Sequence, residues 1–69
     1  IKPHVLKSNN QVMIEGFTSS VSVFDLTGNL VAYKNYQSEK KTFVLTKHNI
    51  YLITARLSDN SFMSYKLFL

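Results

Sequence analysis

Val21-Ser22-Val23-Phe24-Asp25-Leu26-Thr27-Gly28-Asn29-Leu30-Val31 reads as two short strands folded back on a tight turn. Val21 and Val23 share one side of the approach, Ser22 and Phe24 the other. Asp25 can accept N–H bonds from the turn it starts, and Gly28 can take a positive φ that strains other residues. Asp at the first position and Gly at the fourth match a type I turn, and a left-handed residue there lets the next strand resume pairing through a bulge. With no second acid or histidine nearby in sequence, Asp25 reads as a turn former rather than a catalytic carboxylate.

The same punctuation recurs along the chain. Ser8-Asn9-Asn10, Gly16 to Ser20, Asp25 to Asn29, Gln37 to Lys41, Lys47-His48-Asn49 and Ser58 to Ser61 are polar, turn-forming clusters. Between them lie runs at Pro3 to Leu6, Val12 to Ile14, Val21 to Phe24, Leu30 to Tyr36, Phe43 to Leu45, Ile50 to Leu57 and Phe62 to Leu69. That makes about seven strands, the spacing of a β-sandwich or small barrel. Ala occurs only at Ala32 and Ala55, and no stretch carries a helical period. Pro3, lacking an N–H, suits the start of a strand or an edge.

Two strands carry the packing. In the last, Met63, Tyr65, Leu67 and Leu69 share one face and read as core; Phe62, Ser64, Lys66 and Phe68 share the other. Ile50 to Leu57 is apolar on both faces over its first half, as in a central strand, before Thr54 and Arg56 return one face to water. Lys47-His48-Asn49 is a second tight turn, with Asn49 suited to the left-handed region. Tyr51, just beyond it, can bury its ring and bond its hydroxyl to a neighbouring connection, as a tyrosine corner does, or serve as a plain core or interface tyrosine.

Composition removes several functions. The chain has 69 residues, a net charge of +4, a pI near 9.6, 45% hydrophobic and 17% charged residues. That is too apolar for a disordered tail. Its apolar runs fall far short of the roughly 20 residues of a membrane helix, so direct membrane insertion is not expected. One core of this size supplies only about 3–5 kcal/mol, which leaves little for a deep pocket, and no enzyme is expected. Cysteine is absent, and His4 and His48 lie far apart, so no metal site is expected. No serine sits in a G-x-S-x-G context. Met13 and Met63 read as core fillers, and no cofactor is implied. Lys34, Lys40, Lys41, Lys47 and Arg56 with Tyr33, Tyr36 and Tyr51 could imitate a single-strand nucleic-acid binder. The lysines fall in loops and strand ends, however, where charge solubilises turns and protects edges; no nucleic acid is expected as partner. Open sandwich edges also invite homodimer pairing through an edge strand.

Three segments together resemble the type A C-terminal sorting domain of the Bacteroidetes type IX secretion system. That family shows V-x-V-[YF]-D-x-x-G-x-x-V, then L-x-x-G-[IV]-Y-x-[VI], then a terminal strand with a lysine among hydrophobics. Here they stand as Val21 to Val31, with Val23, Asp25, Gly28 and Val31; as Leu45 to Ile53, with Asn49 and Tyr51; and as Tyr65-Lys66-Leu67-Phe68-Leu69. The resemblance covers roughly residues 11 to 69. Three departures stand out: Asn49 replaces the usual Gly, Asn29 the frequent Arg or Lys, and one extra residue separates Leu45 from Tyr51.

The resemblance implies an all-β, immunoglobulin-like sandwich of mostly antiparallel strands in two sheets, a single domain over 1–69, cut from a longer secreted protein. It implies a transport label without catalysis. The parent crosses to the periplasm, the type IX outer-membrane translocon recognises this domain, and a sortase-like cysteine protease usually removes it, leaving cargo at the cell surface. On physical grounds, a terminal strand from Phe62 to Leu69 can leave backbone groups or Phe68 accessible, so that a partner adds a strand or grips the carboxyl end, or it is an ordinary sheet strand with Lys66 snorkelling. A generic immunoglobulin- or fibronectin-like accessory or adhesion module shares the fold and differs in motif order.

Overall fold

The computed structural model describes residues 3–35 and 38–69, without the side chains of Phe17 and Ser38. Its strands are β1 (His4–Ser8), β2 (Gln11–Asp25), β3 (Leu30–Lys34), β4 (Ser38–Val44), β5 (Ile50–Leu57) and β6 (Phe62–Phe68). All pairings are antiparallel. β2 runs through both layers: its first half pairs β1 and β4, its second half β3 and β5, and β6 closes on β5. Counting its halves separately gives seven strands, in sheets of three and four. The fold is the expected all-β sandwich.

Two turn assignments need correction. Gly16 to Ser20 does not end a strand; it is the bend at which β2 leaves one sheet for the other. The β2–β4 and β2–β5 registers both shift there, and Thr18 pairs Ser38 on one side and Leu57 on the other. Gly16 makes the bend possible. Its φ is +135°, and Pro3 packs so closely that an added Cβ would lie 2.6 Å from Pro3 Cα.

Gln37 to Lys41 is likewise not simply a turn, because β4 begins at Ser38. Its polar composition hides a period of two, with Lys41, Phe43 and Leu45 facing inward. Lys40 stands opposite Glu15 in the register, so opposite charges meet across the pair. Tyr36, expected to end the preceding strand, and Gln37 lie outside the described residues.

Apolar alternation builds the core. Val12, Ile14, Phe43 and Leu45 come from the three-stranded side, with Val21, Val23, Tyr51, Ile53, Ala55 and Leu67 opposite them. Met63, Tyr65 and Leu69 pack against it, so β6 buries the predicted face. β5 is central, between β2 and β6, though Leu52 stays exposed. Pro3 immediately precedes β1, which among the described residues pairs only β2, in keeping with an edge position.

Lysines hold the layers together. Lys7 Nζ reaches from β1 to the Phe68 carbonyl of β6, 2.7 Å away. Lys34 Nζ crosses from β3 to the Thr42 carbonyl of β4 at 2.6 Å, passing 5.1 Å from the Phe43 ring centre. Lys41, only 1% exposed, donates to the Thr18 carbonyl at 2.9 Å and hydroxyl at 2.7 Å. Inward charges on edge strands discourage edge-to-edge aggregation, and here they also bridge the sheets. The assignment of these lysines to loops and strand ends therefore fails for Lys40 and Lys41, which lie within β4. Of the basic and aromatic residues grouped above, Lys41 and Tyr51 are buried.

Candidate recognition site

The hairpin between β2 and β3 is the one its sequence dictates. Gly28 N–H bonds the Asp25 carbonyl at 3.1 Å, and Asp25 N–H the Asn29 carbonyl at 3.0 Å. Gly28 has φ +89°, and with Asp25 bonded to Asn29 it forms the expected bulge at the turn; a further register shift lies between Val23 and Phe24, where Val31 is the extra residue. Asp25 Oδ1 accepts from the Thr27 hydroxyl at 2.7 Å and from the Asn29 and Thr27 amides at 2.9 and 3.0 Å. The Thr27 hydroxyl bond first, then the amides, hold its carboxyl below the ordinary 3.8.

Those bonds set a pH dependence. A lowered carboxyl pKa favours the folded turn at neutral pH, and that contribution disappears as pH falls below 3.8 through the lower folded value. Amide exchange at Thr27 and Asn29, corrected for intrinsic rates, is expected to lose protection over that acid range. Protection at these amides that is the same in Asp25→Ala as in the unsubstituted chain at neutral pH contradicts the assignment.

The second motif forms a tyrosine corner. Tyr51 is 5% exposed; its hydroxyl donates to the Thr46 carbonyl at 3.0 Å and accepts the Thr46 N–H at 3.1 Å. Each such bond contributes about 0.5–1.5 kcal/mol net. The left-handed residue of the turn is His48, with φ 62°, not Asn49. Asn49 instead ties the loop with its side chain, donating from Nδ2 to the Lys47 carbonyl at 3.0 Å.

These segments converge at one end of the four-stranded sheet. Asp25 pairs Tyr51, Tyr51 pairs Leu67, and Ile50 pairs Phe68. Leu69 N–H bonds the Asn49 carbonyl at 3.0 Å, and His48 N–H bonds the Leu69 carbonyl at 2.8 Å. Val23 and Leu67 are buried beneath, while Val31, on edge strand β3, is exposed and does not join the cluster's core. Lys66 lies with its ammonium 5.7 Å from the Phe68 ring centre. Phe62 and Phe68 turn outward, 68% and 55% exposed, with Lys66 between them on the same face.

Sequence reasoning missed Gly16, Lys7 and Lys41 as structural determinants. The signal for Lys41 was its place in the alternation with Phe43 and Leu45; nothing local marked the partners of Lys7 or Gly16, which are distant in sequence. Among the described residues, no three His, Asp or Glu side chains gather to hold a metal ion. A scan against protein-family models finds no match, and a search of the curated proteins finds none.

Proposed function

We propose that the chain is a non-catalytic sorting domain that carries its cargo through the type IX outer-membrane translocon. It folds in the periplasm, is recognised there, and is then usually removed by a sortase-like cysteine protease as the cargo reaches the cell surface. One observation supports the reading most: the three segments that resemble the family's motifs lie side by side at one end of one sheet, through the Asp25–Tyr51–Leu67 register. A label must be read from outside, and β6 offers Phe62, Lys66 and Phe68 to solvent.

The test removes Leu67 to Leu69 from a reporter fusion in a type IX-competent host. Because Leu67 is buried, a second variant, Lys66→Ser with Phe68→Ser, alters only exposed side chains. Surface delivery is expected to be lost in both. Undiminished export in both variants contradicts the reading and favours an accessory or adhesion module, for which β6 is merely a strand.

A further inference from the structure

The sandwich has open edges at β1 and β4 in one layer and at β3 and β6 in the other. They are not equally protected. Pro3 immediately precedes β1, β3 has five residues and contains a bulge, and β4 carries a register irregularity toward β2. β6 has seven residues paired to β5 without a shift.

The direction of its backbone groups follows from its end. Leu69 bonds toward Asn49 and His48, so odd-numbered residues of β6 address β5, and alternation turns the N–H and C=O groups of Phe62, Ser64, Lys66 and Phe68 to the outer edge. The Phe68 carbonyl points there too, as that alternation requires, but Lys7 Nζ already bonds it at 2.7 Å, so the open edge runs from Phe62 to Lys66. Among the described residues, β6 pairs with no strand on that side.

Beside this edge runs a groove of about 460 Å³ between β1 and β6, with Pro3, Val5 and Leu67 as its apolar lining. Lys7, Lys66 and His4 also line it, and no carboxylate among the described residues does. A strand added to β6 would project alternate side chains two ways. One set would lie over the apolar groove, the other beside Ser64, Lys66 and Phe68 on the solvent face. A second copy fits this poorly. Its β6 already commits Met63, Tyr65 and Leu67 to its own core, and it would bring its own lysines against these.

We propose that the outer edge of β6, with the groove beside it, takes an extended peptide segment as an added antiparallel strand whose apolar residues alternate with Asp or Glu. Backbone bonds supply the pairing, and Lys66 on the solvent face selects the acidic side chains. This goes beyond the sorting reading and does not rest on it, since an accessory module with the same edge would take the same ligand.

The test is amide exchange by NMR on the 69-residue chain with a synthetic heptapeptide of alternating Val and Glu, compared with one of alternating Val and Lys. The acidic peptide should slow exchange at Ser64 and Lys66 and bind about tenfold more tightly than the basic one. Lys66→Glu, at an exposed site, should erase or reverse that preference while leaving the fold intact. No slowing by the acidic peptide overturns the proposal, as does equal slowing by both peptides. Protection that grows with protein concentration in the absence of peptide would assign the edge to a second copy and overturn it too. Loss of export by a fusion leaves this result untouched, and a failure here leaves export untouched.

Discussion

Gly16→Ala is expected to remove most of the fold's stability at room temperature. The added Cβ would sit 2.6 Å from Pro3 Cα and 2.9 Å from Pro3 Cβ, too near for any contact to accommodate without moving backbone. The φ of +135° adds strain of about 1–3 kcal/mol for a residue with a side chain. Overpacking adds about 1–3 kcal/mol more. A core of this size supplies only about 3–5 kcal/mol in total, so the sum approaches the whole stability. Gly28→Ala provides the contrast: its φ is also positive, but nothing lies within 4 Å of the new Cβ, so the cost is about 1–2 kcal/mol. Urea unfolding followed by circular dichroism separates the two. Equal midpoints for both variants contradict the role given to the Pro3 contact.

Lys41→Ala is the second large effect. Among the described residues, Lys41 is the largest of the fully buried side chains, and its ammonium bonds both the carbonyl and hydroxyl of buried Thr18. Truncation opens a cavity and strips donors from the bend of β2, at a cost of about 2–4 kcal/mol. Lys41→Met keeps most of the volume and removes the desolvation cost of the charge, so it should restore part of that loss. A pH profile distinguishes the contributions. Burial first, and the charge of Lys34 second, lower the Lys41 pKa from 10.5. The unfolded chain therefore binds more protons over that interval, and stability should rise as pH climbs from the folded pKa toward 10.5. The methionine variant should lack that rise; an identical profile contradicts the account of a buried ammonium.

Much of this was legible in the sequence, and the reasons are local. The Asp25–Gly28 turn, its bulge, the two faces of β6 and the Tyr51 corner depend on residues within a few positions of one another, and their chemistry admits few solutions. The bend in β2 was legible only as polar punctuation, because Gly16 earns its conformation from Pro3, a neighbour in space alone. Lys41 was misplaced for the same reason: a lysine beside Lys40 and Glu39 reads as solvated until Thr18 is found across the sheet. At the site, the turn before Tyr51 was visible, but which residue takes the left-handed conformation was not. The left-handed conformation passed to His48, freeing Asn49 to bond the loop with its side chain. The charge of +4 likewise takes on meaning only in three dimensions, where Lys7, Lys34 and Lys41 tie the two layers together.

The central claim is tested most directly by export itself. All 69 residues are fused behind a fluorescent protein that carries a general-secretion leader, in a type IX-competent host and in a matched host lacking the translocon. The account predicts surface fluorescence, accessible to added protease, in the first host and none in the second. A folded fusion that stays in the periplasm of both hosts would contradict it.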